Sequence, residues 1–181
     1  MSRRRILIAG IGNIFLGDDG FGSEVARRLL ERSWPEGVEV RDFGIRGLDL
    51  AFALMEPYDL AILIDAVPRG EPPGTLFLIE PDVSDVASSA LDDGHLEAHA
   101  VNPVAVLRLV QSMGGEFGQI VIVGCEPADF GLPDEGRMGL SPAVVESVER
   151  AVVQVERLVN DWIEPGGEPR GRESFSATVQ R

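Results

Sequence analysis

Ile6-Leu7-Ile8-Ala9-Gly10-Ile11-Gly12-Asn13-Ile14-Phe15-Leu16-Gly17-Asp18-Asp19-Gly20-Phe21-Gly22 begins as an apolar run and turns abruptly to glycine and acid. The run Ile6 to Ala9 predicts a buried strand, and Gly22 to Ser33, with Val25, Leu29 and Leu30 on one face, predicts a helix. Strand, glycine-rich turn and helix together open a parallel α/β unit. Turns of this kind often cradle phosphate on free backbone amides. Here Asp18 and Asp19 occupy the turn, so it repels phosphate and suits a cation.

Outward from this segment, strand and helix patterns alternate. Val38 to Arg41 predicts a second short strand, and Gly47 to Met55 a helix that ends before Pro57. Tyr58 to Val67 contains Leu60-Ala61-Ile62-Leu63-Ile64, too continuously apolar for a one-sided sheet, and predicts a central strand covered on both faces. Thr75 to Ile79 follows after a link too short to house a crossover helix, which predicts an antiparallel strand at an edge. Residues 80 to 98 are polar and irregular, a long excursion of the kind that carries function. A helix from Pro103 to Met113, a strand from Gln119 to Gly124 and a final helix from Pro142 to Ile163 complete the unit. The fold expected is a three-layer α/β/α sandwich, a mostly parallel sheet of about five strands with one antiparallel edge strand. Residues 1 to 163 form the single domain, and 164 to 181, rich in Gly, Pro and Ser, have the composition of a disordered tail.

Composition removes several functional classes. A chain of 181 residues holds one well-buried core, and its net charge of −14 disfavours nucleic acid and anionic membrane surfaces. Every basic residue is arginine, so the lysine of a P-loop and the amine of a Schiff base are both missing. One cysteine, Cys125, excludes an internal disulfide and a zinc ribbon. No signal peptide or membrane-spanning run is visible, which makes the cytoplasm the expected location.

Ligands of open α/β sheets bind beyond the carboxyl ends of the strands. Asp18 and Asp19 follow the first strand, Asp65 ends the central strand where the apolar run breaks into charge, and His99 precedes the helix at Pro103. Three distant segments thus bring carboxylates and an imidazole to one sheet edge, a donor set suited to nickel, zinc or manganese. An acid near the start of a helix also caps free amides, which accounts for one of Asp18 and Asp19 better than for both, and Asp18 is the one expected to cap. Cys125 fits a small buried filler better than a nucleophile, and Glu126 either lines the same edge or turns the chain. His95-Leu96-Glu97-Ala98-His99 is not a zinc-protease helix, because its glutamate would lie nearly opposite the histidines. Gly10-Ile11-Gly12 with Asp42 is not a dinucleotide fingerprint, because Phe15 stands where the third glycine belongs.

In this order the segments resemble the [NiFe]-hydrogenase maturation proteases, endopeptidases that remove a carboxy-terminal extension from the hydrogenase large subunit once nickel is installed. The motifs are Ile8 to Gly22, Asp42-Phe43-Gly44-Ile45-Arg46-Gly47-Leu48-Asp49-Leu50, Ile64-Asp65-Ala66, His99 ahead of Asn102-Pro103, Val123-Gly124-Cys125-Glu126-Pro127 and Gly139-Leu140-Ser141-Pro142. The resemblance implies that Asp19, Asp65 and His99 are the metal-interacting and catalytic positions. It implies nickel carried by the substrate rather than a resident ion, and the large-subunit precursor as partner of a monomeric protease. Some relatives carry Glu where Asp19 stands, and a threonine often stands where this chain has Ile45. A non-cutting nickel-sensing chaperone and a nickel-independent peptidase of the spore-protease type would share this scaffold.

Overall fold

A computed structural model describes residues 4–81, 101–131 and 136–164. In chain order the elements are β1 (Ile6–Ile11), a 3-10 turn (Gly17–Gly20), α1 (Phe21–Leu30), β2 (Val38–Gly44), α2 (Gly47–Leu54), β3 (Leu60–Ala66), β4 (Leu76–Ile79), α3 (Pro103–Ser112), β5 (Gln119–Cys125) and α4 (Pro142–Ile163). The strands form one sheet in the order β2-β1-β3-β5-β4. The pairs β1–β2, β1–β3 and β3–β5 are parallel, and β4 runs antiparallel to β5 at the edge, as its short connection requires.

Alternation along the strands sorts their side chains into two cores. Ile6, Ile8, Ile62 and Ile64 meet Phe21, Val25 and Leu29 of α1 and Val144, Val148, Val152 and Val155 of α4. Leu7, Ala9, Ile11 and Leu63 meet Leu50 and Leu54 of α2 and Val106, Leu107 and Val110 of α3. Helices therefore cover both faces, and every residue of β3 is buried between them. Among the described residues, no helix is long and apolar enough to cross a membrane.

Two glycines bring α1 hard against the strand ends. A Cβ on Gly22 would lie 2.1 Å from the Ile64 carbonyl oxygen and 2.2 Å from that of Ile11. One on Gly10 would lie 2.5 Å from the Ala26 Cβ. The helix start is thus seated directly on the carboxyl ends of β1 and β3.

Element boundaries differ modestly from expectation. β2 continues past Arg41 to Gly44 with a register irregularity opposite Gly10 and Ile11, and α1 stops at Leu30 rather than Ser33. The 3-10 turn was not anticipated, because its Gly-Asp-Asp-Gly composition carries no helical periodicity. Apart from residues 80, 81 and Glu164, the expected excursion over 80–98 and the expected tail from 164 lie outside the described residues.

Candidate active site

The acidic turn and the end of β3 meet because β1 and β3 are adjacent parallel strands, with Gly10 paired to Ile64. Asp65 is the next residue along, paired with Gly124 of β5 and 6 % exposed. Its Oδ1 accepts a hydrogen bond from the Ala66 N–H at 2.9 Å. Burial, and then the negative charge of Asp19, push the Asp65 carboxyl well above the ordinary 3.8, against a smaller opposing pull from the Ala66 bond. Asp19 is half-buried, and its Oδ2 accepts from the Asn13 N–H at 2.7 Å. Burial raises its carboxyl too, offset in part by that bond.

Two carboxylates close enough to feel one another, with the inner one deprived of water, form a place where a divalent cation is favoured. A cation neutralises the repulsion and supplies the partner that a buried charge requires. In its absence, the pair holds a proton more tightly than isolated aspartates do. The structure therefore brings together Asp19 and Asp65 of the expected set. His99 and His95 lie outside the described residues. Among the described residues, no group of three His, Cys, Asp or Glu side chains is placed to hold a metal.

Asp18 does not cap a helix. Neither the 3-10 turn nor α1 has a side-chain cap, and the Asp18 carboxylate points instead into the protein, 1 % exposed. Its Oδ2 accepts from the N–H groups of Ala128 at 2.8 Å and Asp129 at 3.1 Å and from the Ser141 hydroxyl at 2.9 Å, while Oδ1 accepts from the Ser141 N–H at 2.6 Å. Local propensity suggested the cap, and long-range donors from the loop after β5 and from the start of α4 prevailed. Ser141, at the N-cap position of α4, makes no capping bond, and its hydroxyl is turned to donate to Asp18.

Glu126 is buried and turns the chain: its two carboxylate oxygens accept from the N–H groups of Arg69 at 2.7 Å and Gly70 at 3.1 Å, fastening the link before β4. Asp42 accepts from the Ser23 hydroxyl at 2.8 Å and the Gly44 N–H at 3.0 Å, so it anchors α1 to the end of β2. Cys125 has no exposed surface, and burial foremost pushes its thiol up to about 12, which leaves no thiolate at neutral pH. Cys125→Ala is accordingly expected to leave whatever turnover this site supports unchanged, checked alongside wild type before and after treatment with iodoacetamide.

A groove of about 560 Å³ borders the acidic turn, lined among others by Ile14, Gly17, Gly20, Met138, Leu140 and Val145. Ile14, Phe15 and Met138 are exposed, an apolar rim beside a charged centre. Sequence patterning offered no sign of this groove, because its walls come from the first turn, α1 and the start of α4. Asn13, which donates to Asp19, and Ser141, which donates to Asp18, both stand inside the motif segments, but no local pattern marks them as partners.

A family model described as hydrogenase maturation protease matches residues 23–158. A putative hydrogenase maturation protease of Methanocaldococcus jannaschii is 34 % identical over 84 % of this chain and 94 % of its own. The hydrogenase expression/formation protein HupD of Rhodobacter capsulatus is 31 % identical over 87 % of this chain and 72 % of its own. Among solved structures, the hydrogenase maturating endopeptidase HybD of E. coli superposes with a TM-score of 0.71 at 28 % identity, covering 87 % of this chain and 93 % of that one.

Proposed function

The chain belongs to the hydrogenase maturation protease family and is an endopeptidase, and from that premise we propose that it removes the carboxy-terminal extension of a [NiFe]-hydrogenase large-subunit precursor after nickel insertion. The observation that carries the nickel dependence is the pairing of a buried Asp65 with Asp19, two carboxylates whose repulsion a bound cation relieves. Asp19, Asp65 and His99 add ligands to the nickel that arrives with the substrate. The metal so held stands beside the scissile peptide, where a Lewis acid polarises the carbonyl and lowers the pKa of the attacking water. A precursor without nickel brings no cation for these carboxylates to hold, so its peptide is not fixed beside them. The groove supports this reading, since Gly17 and Gly20 of the turn that carries Asp19 line it and it offers apolar surface on which a polypeptide lies. The same reading makes residues 1 to 163 one domain and places the protein in the cytoplasm as a monomer that engages its precursor transiently.

Incubation with nickel-loaded and nickel-free precursor, followed by mass spectrometry, tests this. Shortening of the loaded form alone is the expected result. Shortening of both forms would remove nickel from the mechanism, and shortening of neither would leave a binding module.

A further inference from the structure

We propose that Asp18 is a positioning residue, which holds Asp19 against the repulsion of Asp65 and so sets the geometry of the acidic pair. The inference rests on the reading of Asp19 and Asp65 as metal-facing groups. The 3-10 turn that carries both aspartates is four residues long, flanked by glycines, and has no side-chain cap of its own. Local hydrogen bonds tie Asp19 to the adjoining loop, its N–H donating to the Leu16 carbonyl at 3.1 Å and its Oδ2 accepting from the Asn13 N–H at 2.7 Å, and that loop belongs to the same short segment.

The restraint comes from outside the turn and converges on Asp18. Four donors from Ala128, Asp129 and Ser141 fill its carboxylate, and its own N–H donates to the Asp129 carbonyl at 3.1 Å. The backbone on the preceding side is laced to Arg137: the Gly17 N–H donates to the Arg137 carbonyl at 2.7 Å, and the Arg137 N–H donates to the Phe15 carbonyl at 2.9 Å. A buried carboxylate whose oxygens are filled by four donors is fixed in position, and hydrogen bonds to a carboxylate are among the strongest available. Because Asp18 and Asp19 share a peptide bond, fixing one Cα and carboxylate fixes the departure point of the next. The start of α4 and the loop after β5 thus hold the acidic turn in register with β3. Asp18 acts through Asp19, while its own carboxylate faces away into the two loops.

Asp18→Asn tests this sharply, because an amide has one acceptor oxygen where four donors now find two, and its NH2 must oppose at least one of them. Ser141→Ala is the milder variant, removing a single bond to the same carboxylate. Calorimetric titration of the free protein with Ni2+, kcat and KM on nickel-loaded precursor well below the melting temperature, and Tm are measured for each. Expected are an affinity for Ni2+ weaker by about tenfold or more for Asp18→Asn, with a matching fall in kcat, and a several-fold loss in the same direction for Ser141→Ala. On an Asp19→Asn background, adding Asp18→Asn should change Ni2+ affinity less than about twofold, since its effect runs through the missing carboxylate. A lowered Tm with Ni2+ affinity and kcat unchanged, in whichever of the two variants folds, would overturn the inference and leave Asp18 a structural staple. An Asp19→Asn variant that binds Ni2+ and processes precursor as wild type does would overturn the metal-facing reading itself, and this inference with it.

Discussion

Asp65→Asn is expected to yield a protein that no longer processes nickel-loaded precursor yet melts at a higher temperature than wild type at neutral pH. Activity falls by about a hundredfold or more, because a neutral amide is a poor ligand and a poor base. Stability moves the other way. In the native state the Asp65 carboxyl binds its proton more tightly than in the unfolded chain, since burial and the Asp19 charge both oppose ionisation. Native protein therefore holds more protons than unfolded protein above the ordinary aspartate value, and stability declines as pH rises through the raised native pKa. Asn carries no such penalty, and its side-chain oxygen still accepts from the Ala66 N–H. Relief of about 1–3 kcal/mol is the scale for a poorly compensated buried polar group, and each kcal/mol is worth roughly 2–4 °C in a chain of this length. Thermal melts from pH 4 to pH 8 should show variant and wild type converging at the acid end and separating as pH rises. Excess Ni2+ should narrow the gap by stabilising wild type alone, in proportion to its occupancy of the native state. A variant less stable than wild type at pH 8 would show that Asp65 is compensated by a partner and is not held under strain for a cation.

Much of the fold could be read from periodicity. β3 was legible from Leu60 to Ile64 because no alternation interrupts it, and β4 was placed at an edge, antiparallel, from the length of its connection alone. α4 ran from Pro142 to Ile163 as expected, its start marked by proline at the first helical position and its face by valines at helical spacing. The proximity of Asp19 and Asp65 followed from a topological rule, since Asp19 lies in the turn after β1 and Asp65 at the carboxyl end of the adjacent parallel strand β3. Sequence separated Asp18 from Asp19 but gave Asp18 the wrong partner, a helix end instead of two distant loops. Adjacent identical residues have the same local propensities, and they differ only in what folds over them: two loops more than a hundred residues away converge on Asp18, and solvent reaches Asp19. The role of Glu126 was hidden for the same reason, its partners being N–H groups of the link between β3 and β4.

Gly12→Ala is expected to cost both stability and catalysis, and the second loss should exceed what the first explains. Gly12 directly follows β1 with a φ of 139°, a conformation that L side chains rarely adopt. A Cβ there would lie 1.8 Å from the Asp19 carbonyl oxygen and 3.0 Å from its carbonyl carbon. Both are backbone atoms, so no rotamer change relieves the contact, and either β1 or the acidic turn must move. β1 is clamped between β2 and β3 by paired hydrogen bonds along its length, whereas the turn is four residues long. Asp18 is tethered by its distant donors, so the displacement falls on Asp19, whose carbonyl the new Cβ meets, and Asp19 leaves its place beside Asp65. Backbone strain and overpacking together should cost about 3 kcal/mol or more, a fall in Tm of roughly 6–12 °C. Gly114→Ala supplies the comparison: its φ of 73° is equally restrictive, but nothing lies within 4 Å of the added Cβ. It should lose about 1–2 kcal/mol through backbone strain and keep its turnover of nickel-loaded precursor. Assays at a temperature where both variants are folded separate the effects, with kcat expected to collapse only for Gly12→Ala. If the two variants lost turnover equally, the close approach of Gly12 to the acidic turn would be a packing detail with no bearing on where Asp19 stands.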